Sequence, residues 1–70
     1  MPGKRGPRFT QAQILAMETI RTRENGDQLK HESTRTRIWI RPGDQAVPQA
    51  VVFELYQQRR WSTVRTEAVE

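Results

Sequence analysis

Four side chains able to act together lie in the stretch STRTRIWIRPG, Ser33 to Gly43. Read at a period of two, Arg35, Arg37, Trp39 and Arg41 fall on one side, and Thr34, Thr36, Ile38 and Ile40 on the other. If the isoleucines enter a core, strand alternation drives the guanidiniums and the indole outward together. Alternate strand residues lie about 6.6–6.8 Å apart, close to the phosphate repeat of an extended nucleic-acid strand. Arginine presents a planar fork of donors that matches phosphate and carboxylate and stacks on flat rings. Trp39 between the arginines could stack on a base, for about 1–3 kcal/mol. The chemistry on offer is the binding of a polyanion.

The same row admits two other readings. Glu32, Glu54 or Glu67 could pair with the arginines across a sheet, giving a salt-laced face. Alternatively, Trp39 could anchor a protein interface rimmed by the arginines, since both residue types are enriched at such interfaces.

Further cations lie outside the row. Residues 1–8, MPGKRGPR, hold Lys4, Arg5 and Arg8, with two prolines, two glycines and no acid, and read as a disordered basic arm. In QQRRWSTVRT, Arg59 and Arg60 follow a helical pattern, where cations favour the negative end of the dipole. Arg65 joins the row only if its strand lies beside Arg35–Arg41. The whole chain has 12 Lys+Arg against 8 Asp+Glu, a formal net charge of +4, and ten of the cations are Arg. That bias fits nucleic acid, and a GC-rich coding sequence also produces it.

Catalysis and cofactors find little support. The chain has no cysteine, which removes disulfides and Cys-based zinc sites, and its single histidine, His31, cannot build a metal site alone. Lys30-His31-Glu32-Ser33 contains acid, base and hydroxyl, but neighbours on a strand point opposite ways. No Gly-rich phosphate loop is present. A non-enzymatic protein without cofactors is expected.

The elements that must position these residues follow from pattern. Thr10 and Gln13 have capping-box spacing, and Phe9 and Ile14 that of a hydrophobic staple. Ala12, Ala16 and Ile20 recur every four residues, flanked by Leu15 and Met17. This predicts a helix over 11–24 with that stripe inward, ended by Gly26 at C′. Alternation predicts a strand at 35–41, preceded by a weaker one near 28–33. Pro42-Gly43 suits the centre of a type II turn. Pro48 fits a first helical position, and Val51, Val52, Leu55 and Tyr56 form an i, i+1, i+4, i+5 stripe, predicting a second helix over 48–60. The β-branched AVVF argues for a buried strand there instead, and the helix formers of ELYQQRR favour the helix. A third strand is read at 61–66.

The expected class is α+β, in the order α-β-β-α-β, with an antiparallel sheet packed against two helices. Residues 9–67 form the single domain and 68–70 a tail. A chain of 70 residues buries only about 60% of its unfolded surface, so a homodimer is one route to stability. No apolar run approaches the ~20 residues of a membrane span, and no apolar segment follows the basic start, so a cytoplasmic protein is expected.

The polar cap and helix TQAQILAMETI, followed by the Pro-led VPQAVVFELYQQRRWSTV, resembles small winged-helix-like domains of bacteria and phages over residues 9–66. The resemblance implies DNA binding, with the 48–60 helix as reader and Gln49, Gln57 and Gln58 outward. The sequence departs from that pattern between the two helices, where a strand-like segment stands in place of a second helix.

The expected function is a small basic accessory or regulatory protein that binds nucleic acid, DNA foremost. Its contacts would be Lys4, Arg5, Arg8, Arg35, Arg37, Trp39, Arg41 and Arg65. The alternative is an adaptor or inhibitor that docks the Arg/Trp face on an acidic protein.

Overall fold

The first element is nucleated by its cap. The Gln13 N–H donates to Thr10 Oγ1 at 3.1 Å, and the Thr10 N–H donates to Gln13 Oε1 at 2.8 Å, closing the box. The helix that follows, α1 (Gln11–Ala16), is one of the few non-strand elements in the computed structural model, which describes residues 8–70. The remaining elements are β1 (Arg21–Thr22), β2 (Gln28–Glu32), β3 (Thr36–Pro42), a 3-10 turn (Asp44–Ala46), β4 (Pro48–Gln57) and β5 (Arg60–Ala68). The five strands form one antiparallel sheet in chain order, a meander.

The α-β-β-α-β expectation is therefore corrected: a five-stranded sheet carries one short helix, not two helices. The segment 48–60, expected to be a helix and, by resemblance, the groove reader, is β4 and its turn. Val51 pairs with Ile40 on one face and Val52 with Trp39 on the other, so both faces of β4 are apolar at its centre. A strand buried on both sides loses its alternation, and its apolar run then mimics a helical stripe. Pro48 sits at the first strand position, where no ladder donor is needed.

The expected 11–24 helix stops at Ala16, because Met17 turns extended and the β-branched residues beyond it join the sheet. The Ile20 N–H donates to the Leu29 carbonyl at 2.8 Å, and Arg21 pairs with Leu29. The inward stripe is corrected too. Ile14 is the buried residue of α1, while Ala12 and Ala16 are exposed and Ile20 is 54% exposed. Gly26 does adopt positive φ, +96°, but in the β1–β2 turn. Pro42 and Gly43 form no type II turn: Pro42 ends β3, and the reversal runs through Gln45 and Ala46, both at positive φ. A side chain at Gly43 would meet Gln49 Oε1 at 2.8 Å, a contact that the exposed, flexible end of Gln49 relieves by shifting.

Two clusters hold the sheet. On one face Ile14 of α1 packs with Ile38, Ile40 and Val51, joined by Phe9, Leu15, Phe53 and Val69. On the other, Leu29, Trp39 and Val52 pack together with no helix above them. Residues 68–70, expected to be a tail, are tied down. Val69 joins the first cluster, and Gln11 Nε2 donates to the Ala68 carbonyl at 2.9 Å while its Oε1 accepts from the Glu70 N–H at 3.2 Å. Among the described residues, no helix is long and apolar enough to cross a membrane.

Candidate nucleic-acid interface

β3 has the register that alternation gives it. Directly opposed residues share a face in an antiparallel pair. Arg37 opposes Glu54, Trp39 opposes Val52 and Arg41 opposes Ala50, all on the face without the helix, while Ile38 and Ile40 enter the helix-side core. Arg35 stands just before β3, where its carbonyl accepts from the Tyr56 N–H at 2.8 Å.

Most of the row is nevertheless internally engaged. Trp39 is only 2% exposed. The guanidinium carbon of Arg23 lies 3.9 Å from its ring centroid, and its Nε1–H donates to Glu54 Oε1 at 2.7 Å. The indole therefore cannot stack on a base or anchor a protein partner while the chain is folded. Arg41 Nε and Nη2 donate to the two carboxylate oxygens of Asp27, each at 3.1 Å. Arg23 reaches the same carboxylate from the other side, with Nη2 at 2.8 Å from Oδ2. Asp27 is 1% exposed. Burial is the largest influence on its carboxyl and pushes it up, yet the hydrogen bonds and charges of Arg41 and Arg23 outweigh burial and hold it below the usual range. Asp27 in turn raises Arg41.

Arg37 is likewise neutralised. Its Nε donates to Glu32 Oε2 at 3.1 Å, and its guanidinium carbon lies 4.1 Å from the centroid of the Trp61 ring. Glu32 is shared with Arg21, whose hydrogen bond is the main cause of its lowered pKa, opposed by desolvation and aided by Arg37. Arg65 is on the helix-bearing face, away from the row. Its guanidinium carbon lies 4.2 Å from the Phe53 ring centroid, and its Nε pairs with Glu67 Oε2 at 3.0 Å. Arg8 is exposed on that side too. Lys4 and Arg5, and the rest of the arm through residue 7, lie outside the described residues. The Lys30-His31-Glu32 run is dispersed: Lys30 Nζ bonds the Met17 carbonyl, His31 faces Phe9, and Glu32 faces Arg21 and Arg37.

Besides Arg8, three cations without a carboxylate partner among the described residues gather at one end of the sheet. In a meander, alternate connections emerge at the same end, so the β2–β3 turn carrying Arg35 neighbours the β4–β5 turn carrying Arg59. Arg35, Arg59 and Arg60 are exposed, and among the described residues none makes an ion pair. The same end carries Tyr56 and Trp61, a directly opposed pair with ring centroids 5.2 Å apart and planes tilted by 57°, while Arg60, opposite Gln57, lies on the other face. Tyr56 is 38% exposed. Sequence reasoning assigned Arg59 and Arg60 to a helix end and placed Tyr56 on a core stripe. The signal it lacked was the turn, because Gln58 and Arg59 both take positive φ without the Asn-Gly pair that usually marks such a hairpin.

Comparison with protein-family models, curated proteins and solved structures returns no match.

Proposed function

We propose that this protein is a non-enzymatic nucleic-acid-binding protein that engages its ligand through the basic end of the sheet. One observation carries the reading: Arg35, Arg59 and Arg60, unpaired among the described residues, share one end of the sheet with the exposed Tyr56 and the half-buried Trp61. Unpaired guanidiniums release counterions when they meet phosphate, whereas Arg37 and Arg41 would first have to leave carboxylates. Tyr56 supplies the accessible ring face, and base stacking on such a ring contributes about 1–3 kcal/mol. Lys4 and Arg5, outside the described residues, add to the positive charge of the chain.

The test is fluorescence anisotropy with labelled single-stranded and duplex DNA and RNA over a salt series. Neutralising three phosphates gives a log–log slope of about −2 to −3. The triple variant Arg35→Glu, Arg59→Glu, Arg60→Glu should abolish binding while leaving the circular dichroism spectrum intact. Unchanged affinity and slope in that variant would end the proposal.

A further inference from the structure

A concavity lies on the helix-bearing face, and no residue of α1 lines it. Across four strands, His31, Ile38, Phe53 and Arg65 form one row of directly opposed residues. With Leu55 and Val64 they line a groove of about 340 Å³, within the range of small-ligand sites. Its floor is apolar: Ile38 is buried, Phe53 and Leu55 are half-buried, and Val64 is 54% exposed beside them.

The two ends of the row differ in chemistry. At one end His31 packs on Phe9, with ring centroids 5.3 Å apart, and its Nε2 is buried with no hydrogen-bond partner. A buried imidazole nitrogen left unpaired costs free energy until a donor or acceptor reaches it. At the other end the Arg65 guanidinium stands over Phe53. Another depression of about 250 Å³ adjoins there, lined by Arg8, Phe9, Phe53 and Arg65, so two cations border one hollow. The ends are three strand spacings apart, about 14 Å.

We infer that this groove binds a flat ring carrying an anion at its far end, of the class of a nucleoside monophosphate. The ring lies on Ile38, Leu55 and Val64, a hydrogen-bonding edge meets His31 Nε2, and the phosphate sits between Arg8 and the terminal nitrogens of Arg65, whose Nε is held by Glu67 at 3.0 Å. The site is separate from the Arg35–Tyr56–Trp61 end and does not depend on the function proposed there.

The experiment is an NMR titration of the full chain with adenosine monophosphate, with adenosine and inorganic phosphate as separate arms, following backbone amides and the imidazole nitrogens. Saturable shifts at His31, Phe53, Val64 and Arg65, a moved Nε2 resonance, and tighter binding of the monophosphate than of either part are expected. His31→Phe keeps the packing on Phe9, and Arg65→Gln removes one cation; each should weaken binding about tenfold. No saturable shift, shifts confined to Arg35, Tyr56 and Trp61, or affinity unchanged by both variants overturns the assignment. The wild-type Nε2 signal keeps the test decisive should either variant fail to fold.

Discussion

The guanidinium of Arg23 covers the Trp39 ring from 3.9 Å, and Trp39 is thereby sealed on a sheet face that carries no helix. A charged side chain here replaces a second layer. Its planar group stacks on the indole while its nitrogens bond Asp27 and Glu54. Arg23→Ala should uncover the ring and cost about 1–2 kcal/mol, read by urea denaturation. In a Trp61→Phe background the emission of Trp39 should move to the red. An unshifted spectrum would mean that other groups seal the indole.

Asp27 gives that lid its acid sensitivity. Its carboxyl titrates lower when folded than when unfolded, so the unfolded chain takes up the proton first as pH falls. The stabilisation is complete above the ordinary Asp value, about 3.9, and is lost as pH drops through the folded value. Glu32 shifts in the same direction. Stability should hold from neutrality to roughly pH 5 and fall steeply below about 4. Asp27→Asn should lower the plateau by about 1–3 kcal/mol and flatten the acid limb, as thermal melts across pH would record.

These features mark the boundary of what the sequence makes legible. The β3 alternation placed Ile38 and Ile40 inward correctly and Arg37, Trp39 and Arg41 on the other face. It could not say that this other face is also closed, because Arg23 and Asp27 reach it from the β1–β2 turn and Glu54 from β4, none of them near Trp39 in sequence. Burial on both faces likewise erased the alternation of β4 and let it pass for a helix. The capping box at Thr10 and Gln13 was fully legible, since its geometry is local. The length of α1 was not, because pairing with β2 decides where it stops.

Gln11 protects a sheet edge. Its side chain accepts from the Glu70 N–H and donates to the Ala68 carbonyl, occupying backbone groups that β5, an outer strand, would otherwise offer to another chain. Gln11→Ala should accelerate hydrogen exchange at the Glu70 amide and cost about 0.5–1.5 kcal/mol. It should also increase concentration-dependent self-association in sedimentation velocity. Unchanged exchange at Glu70 would show that the Gln11 bonds contribute nothing in solution.

The β4–β5 turn sets binding against stability. Gln58 and Arg59 occupy positive φ, at 53° and 66°, where side chains other than Asn and Gly are strained. Gln58→Asn with Arg59→Gly relieves that strain and should stabilise the hairpin by about 0.5–2 kcal/mol. The same change deletes one of the unpaired arginines beside Tyr56 and Trp61. If that end binds nucleic acid, the double variant melts higher yet binds more weakly, with the salt slope reduced by about one phosphate. Gln58→Asn alone should take part of the stability gain and leave binding intact. A double variant that is more stable and binds equally well would remove Arg59 from the interface.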